Sequence, residues 1–168
     1  MKTILLISGV PGVGKSYFGT WLEKEKNFLH LDVEKDGRLE KFTLNQDWLN
    51  CFKTSQAEAF VGRLQNLGRL VVLNWGFPTQ FLYVVQAMKT AGVQIWWFDA
   101  DYTIARNVFL KRGDVPVQAF DNQVANIMRD REQIESIFSP NILKTLQNDG
   151  NHLAPDKIYD HILMNTTS

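Results

Sequence analysis

The chain has 168 residues, 45% of them hydrophobic and 21% charged, enough for one globular domain with a sizeable core and too few for two ordinary ones. Lys+Arg and Asp+Glu balance at 18 each. A long nucleic-acid backbone, which needs a surplus of Lys and Arg, is therefore disfavoured as the main partner. The single cysteine, Cys51, excludes an intrachain disulfide and fits the reducing cytoplasm, and no apolar run is long enough to span a membrane.

Residues 3–8, TILLIS, form a continuous apolar run closed by glycine, the pattern of a buried strand. A glycine-rich turn and Lys15 follow at once, where a signal peptide would need a small-residue cleavage site. A helix is expected over 15–26, a second strand over 28–33 and mostly helix over 45–67. Ser55-Gln56-Ala57-Glu58 has the spacing of a capping box, so the helix is expected to restart there. A third strand at 70–73 ends in NWGFP, and a helix over 79–91 stops at Gly92. Strand four covers 93–98, with both tryptophans of WW on alternating faces. Asp101 caps a helix that runs to Arg112 and stops at Gly113. Helix is expected over 117–138, a short further helix after Ser139-Pro140, and a last strand over 157–164. Strands alternating with helices predict an α/β fold: three layers, a mostly parallel sheet with helices on both faces, and a site beyond the carboxyl ends of the strands.

The stretch after strand one, GVPGVGKS at 9–16, matches G-x-x-x-x-G-K-[ST] in full. Gly9, Gly12 and Gly14 let the backbone curl its N–H groups around an anion, and the following helix adds its positive end. Lys15 supplies a full charge for the terminal phosphates and Ser16 a hydroxyl for Mg²⁺; Val13 and Tyr17 complete the nucleotide-binding set.

This loop, its place after strand one and the β/α order resemble the P-loop kinases of small molecules and nucleotides. The resemblance spans most of the chain, read as a single domain over 1–168. It implies the sheet order 2-3-1-4-5, a helical lid over about 101–131, ATP and Mg²⁺ as cofactors, and a small-molecule acceptor. At the end of strand two, DVEKDGR offers Asp32, Glu34 and Asp36. Phosphoryl transfer needs a carboxylate beside the phosphate loop, for the proton or for the metal. In shikimate-kinase-like and polynucleotide-kinase-like members an aspartate serves there, and Asp32 matches it, with Asp36 the fallback; Glu34 resembles the second acid of a D-x-D pair and Arg38 a site for a substrate anion. His30 is expected to pack rather than bind.

Strand three ends in Asn74 where many members carry an acid, which shifts weight onto Asp32 and Ser16. Trp75, Gly76 and Phe77 resemble an acceptor loop, with Gly76 allowing close approach and the aromatics as walls. In the lid, Arg112 and then Arg106 are the arginines expected to neutralise the transferring phosphate. RDRE at 129–132 reads as a solvated helix face. The chain closes in NTTS just where many members continue with residues that clasp adenine, so ATP over GTP rests on the family default. The reaction expected is transfer of a γ-phosphoryl group to a small hydroxyl- or phosphate-bearing acceptor. A non-catalytic ATP-binding module and an NTP hydrolase remain as alternatives, and oligomeric state is not legible.

Overall fold

In the computed structural model, residues 3–34, 37–76, 79–111, 113 and 116–165 are described. The first strand, β1 (Ile4–Gly9), is buried along its whole length, which is why it reads as an unbroken apolar run rather than an alternating one. It leads through the glycine-rich turn into α1 (Lys15–Lys26) and then β2 (Leu29–Asp32). A short helix α2 (Arg38–Lys41), which the sequence reading lacks, precedes α3 (Asn45–Thr54), α4 (Glu58–Asn66) and β3 (Val71–Asn74). A 3-10 turn at Thr79–Phe81 opens α5 (Leu82–Thr90), followed by β4 (Gln94–Asp99). Next come α6 (Tyr102–Leu110), α7 (Val117–Arg129), α8 (Arg131–Phe138), β5 (Ile142–Lys144) and α9 (Pro155–Met164).

The sheet has five strands in the order β2-β3-β1-β4-β5, and every pairing is parallel. The order reverses at β1: one crossover carries the chain out to β2, and a later one brings it back past β1 to β4. Such a switch point leaves a crevice at the carboxyl ends of the strands, and the turn at 9–14 sits in it. The WW pair shows the layering. Trp97 packs edge-on against Phe138 of α8, and Trp96 against His161 of α9. Both are essentially fully buried. Phe18 of α1 reaches Phe98, and Trp21 and Phe28 reach Tyr159 of α9, so α1 and α9 share one face.

Four local expectations are corrected. Residues 157–164 form a helix, not a strand: Ile158 and Ile162, four apart, are its buried pair, and Pro155 supplies a favourable first helical position. The fifth strand is instead Ile142–Lys144, so Ser139-Pro140 leads into an edge strand rather than a helix. Ser55 closes α3, with φ 56° and its N–H on Cys51 O, and α4 starts at Glu58 with Ala57 before it offering no side-chain cap, so no capping box forms. The expected helix over 117–138 breaks at Asp130 into α7 and α8. The restart near residue 58, the Asp101 cap on Thr103 and Ile104 N–H, and the packing role of the buried His30 are as expected. Cys51 is buried, and burial pushes its thiol up to about 11.

Candidate active site

The turn after β1 is shaped by close backbone approach. A Cβ on Gly9, at φ 147°, would lie 2.0 Å from the Phe98 carbonyl oxygen, so no side chain fits. Gly14, at φ 89°, takes the left-handed conformation that starts α1. The Lys15 ammonium folds over the loop and donates to Gly9 O at 2.9 Å and Val10 O at 2.8 Å.

Two further strand ends meet this loop. The Ser16 hydroxyl lies 3.4 Å from Asp32 Oδ2, and the Glu34 N–H donates to Asp32 Oδ1 at 3.1 Å. Gly76 stands opposite: a Cβ there would be 3.5 Å from Glu34 Oε2 and 3.8 Å from Lys15 Nζ. The bare backbone at Gly76 therefore leaves room between a cation and a carboxylate. Asn74, paired with Asp32 across β2 and β3, is 2% exposed. Neither of its amide atoms has a hydrogen-bond partner among the described residues.

These groups line a cavity of about 280 Å³. Gly12, Gly14, Lys15 and Ser16 form its floor, Asp32, Glu34, Asn74 and Gly76 one wall, and Phe109, Ala119 and Gln123 from α6 and α7 the other. A second cavity, of about 520 Å³, adjoins Gly14 on the far side and is bounded by Tyr17, His152, Leu153 and Pro155. It lies where the segment between β5 and α9 crosses the glycine-rich loop. The sequence reading, which took 157–164 as the last strand, had no segment to place there.

Several sequence candidates fall elsewhere. Trp75 is 3% exposed and packs edge-on against Trp48 and Phe52, so it belongs to an aromatic cluster in the core rather than to the cavity wall. Arg38 binds Glu23 at 2.6 Å and the His30 carbonyl at 2.8 Å, tying α2 to α1, and does not line the cavity. Burial of Glu23 works against its charge, but the Arg38 hydrogen bond, the His30 N–H and the nearby positive charge together outweigh this and hold the carboxyl below its usual range. Arg106 makes a two-pronged pair with Asp121, at 2.8 and 3.2 Å, that joins α6 to α7 rather than pointing at the loop. Arg112, Phe77 and Asp36 lie outside the described residues.

RDRE at 129–132 is not simply a solvated face. Asp130 accepts hydrogen bonds from Arg129 and from the Thr79 hydroxyl, which bring its carboxyl down to about 2. Arg131 pairs with Asp99 at 2.9 Å and with Glu135 at 2.6 Å. Burial works against the Arg131 charge, but these bonds outweigh it and hold the guanidinium firmly protonated. The break between α7 and α8 is thus bolted to the segment that follows β3 and to the end of β4. No spacing in the sequence announces these partners, because Thr79 and Asp130 are 51 residues apart.

Among the described residues no group of three or more His, Cys, Asp or Glu converges on a metal position. Ser16 and Asp32 nevertheless offer two hard oxygen donors side by side. That suits Mg²⁺, which prefers oxygen ligands and completes its shell with water and phosphate. No helix among the described residues is long and apolar enough to cross a membrane.

No protein-family model matches the chain, and no curated protein is similar to it in sequence. Solved structures are similar in fold. A shikimate kinase from Acinetobacter baumannii in complex with shikimate superposes with a TM-score of 0.61 at 15% identity, over 100% of this chain and 97% of that one. A gluconokinase from Sinorhizobium meliloti gives 0.54 at 13% identity, over 97% and 90%. A deoxyadenosine kinase from M. mycoides with bound dATP gives 0.51 at 11%, over 100% of both chains. The sheet order, the helices on both faces and these neighbours together show that the chain has the fold of the P-loop kinases of small molecules and nucleotides.

Proposed function

We propose that the protein is a Mg²⁺-dependent kinase that moves the γ-phosphoryl group of ATP to a small hydroxyl- or phosphate-bearing acceptor. One observation carries the reading: the loop with Lys15 and Ser16, the carboxylates of Asp32 and Glu34, and the open backbone at Gly76 share one cavity. The loop at 9–16 holds the phosphates through inward N–H groups and the Lys15 ammonium. The second cavity, beside Tyr17, Leu153 and Pro155, takes the base. Ser16 and Asp32 would hold Mg²⁺, which when bound neutralises charge on the phosphates. Glu34, across Gly76 from Lys15, binds the acceptor, and Asp32 orients its hydroxyl and receives the proton. The acceptor oxygen bonds to the γ-phosphorus as the bond to the β-phosphate oxygen breaks, and ADP leaves. The helices α6 and α7 act as the lid, with Arg112 as its first cation and Arg106 released from Asp121 as its second.

Asn74 favours a second reading, a nucleotide-binding module without transfer, since an amide adds no charge for the metal where many family members carry an acid. A screen of ATP consumption against hydroxyl-bearing metabolites, nucleosides, nucleotides and polynucleotide ends tests both, with Lys15→Ala as control. Turnover with one acceptor class that Lys15→Ala abolishes supports the kinase. Full activity in Lys15→Ala would sink the assignment of the loop, and tight ATP binding without turnover on any acceptor favours the second reading.

A further inference from the structure

A loop that binds an anion with its N–H groups has to keep its carbonyls turned away. In a planar trans peptide the C=O and the next N–H point in opposite directions. Whatever holds a carbonyl on the outside of the loop therefore aims the following N–H inward. Five carbonyls of the loop, those of residues 9, 10, 12, 13 and 14, can be followed to their partners. Gly9 O and Val10 O accept from Lys15 Nζ, and Gly14 O from the Phe18 N–H within α1. The remaining two carbonyls are held from far along the chain. Gly12 O lies 2.9 Å from His152 Nε2, and since a carbonyl only accepts, that nitrogen carries the hydrogen. Val13 O accepts from the Thr145 hydroxyl at 3.0 Å, and Thr145 is fully buried.

The segment that supplies both donors is itself tightly closed. Leu153 N–H donates to Thr145 O at 2.7 Å, Gln147 N–H to Asn151 O at 2.9 Å and Gly150 N–H to Gln147 O at 3.0 Å. Thr145 N–H donates to Asp99 O at 3.1 Å, anchoring the segment to the end of β4. The His152 ring also lies flush on the loop: a Cβ on Gly14 would sit 2.8 Å from its Cδ2.

The geometry points to His152 and Thr145 as positioning residues for nucleotide binding: they pin the Gly12 and Val13 carbonyls outward and so aim the Val13 and Gly14 N–H groups at the phosphates. This rests on the nucleotide-binding reading above and goes beyond it, because neither residue needs to touch the phosphates. Without its donor, the 12–13 peptide gains by rotating its carbonyl toward solvent, and the Val13 N–H then leaves the anion. Protonation of His152 does not release the contact, since Nε2 donates in both charge states.

The test is the dissociation constant of MgADP, followed by titration calorimetry, for four variants. His152→Ala and Thr145→Val are each expected to weaken binding about tenfold, the loss of one hydrogen bond's stabilisation. His152→Gln, which keeps a donor near the Nε2 position, and Thr145→Ser, which keeps the hydroxyl, are expected to stay within about threefold of the parent. Thermal melting without nucleotide gives the separate structural cost. Thr145 does not border the base cavity, so its effect on ADP passes through the loop alone. Unchanged affinity in His152→Ala and Thr145→Val, with the parent binding ADP, overturns this inference and leaves the nucleotide-binding reading standing. A loss that Gln and Ser fail to restore also overturns it. Failure of the parent to bind MgADP overturns both. Should Thr145→Val not fold, His152→Ala carries the decision with inorganic triphosphate as the probe, which has no base to meet the cavity that His152 borders: weakened triphosphate binding supports the inference and unchanged binding overturns it.

Discussion

The Ser16 hydroxyl and the Asp32 carboxylate, 16 residues apart in the chain, stand 3.4 Å from each other at the mouth of the phosphate loop. Their closeness comes from the parallel sheet, which sets the ends of β1 and β2 on either side of β3. For Asp32→Asn we expect turnover to fall about 10²-fold or more, the usual contribution of a carboxylate in proton transfer, while ADP still binds without metal. Chelation by EDTA should bring the parent and the variant to the same nucleotide affinity. A parent whose affinity ignores Mg²⁺ would remove Ser16 and Asp32 as metal ligands.

Asn74 carries a different prediction. A buried amide without a partner costs stability, typically about 1–3 kcal/mol, and such groups persist where function uses them. Asn74→Leu, close in shape, is expected to raise the urea midpoint while weakening MgADP binding. A variant that is less stable and binds as well as the parent would assign the amide to structure instead.

Gly19 tests the packing behind the site. Replacing glycine by alanine in a helix ordinarily gains about 1 kcal/mol. Here the new Cβ would meet His30 Nε2 at 2.5 Å and Asn74 Nδ2 at 2.8 Å. Gly19→Ala is therefore expected to lose stability, by about 1–3 kcal/mol in urea unfolding, because the added methyl overpacks a buried contact.

The fourth prediction concerns acid. Asp130 has its carboxyl lowered to about 2, from an ordinary 3.8, by Arg129 first and Thr79 second. A carboxyl lowered on folding contributes stability that is full above about pH 4 and is lost as pH falls through about 2. Asp130→Asn should thus be less stable than the parent at pH 6, with the gap closing toward pH 2. A gap independent of pH over that range would remove the charge from the explanation.

The legible parts of the molecule are those whose physics is local. A continuous apolar run closed by glycine, a turn made of glycines and a helix beginning at Lys15 lie within 26 residues, and each appears where the sequence placed it. Asp32 and Glu34 line the cavity because β2 ends beside the loop; a mixed-charge stretch is ordinarily a solvated turn, so only the resemblance singled them out in the sequence. The errors sit where tertiary pairing decides. Three residues at 142–144 are too short to show a strand period, and they become β5 only because the edge of β4 is open to them. Residues 157–164 form a helix because Ile158 and Ile162 repeat every four, a spacing the expectation of a last strand leaves out. Trp75 and Arg38 were assigned by position alone. Their partners, Trp48 and Glu23, lie 27 and 15 residues away and pull both out of the cavity.

The hydrogen bonds from Thr145 and His152 to the loop span 132 and 140 residues. They impose an order on assembly as the chain is made. Residues 9–16 leave a ribosome well before their partners, and the donors for Gly12 and Val13 arrive only when the chain has passed residue 152. The motif at 9–16 is finished by residues 145–152, and a nascent chain that stops short of them carries the complete signature without the complete loop.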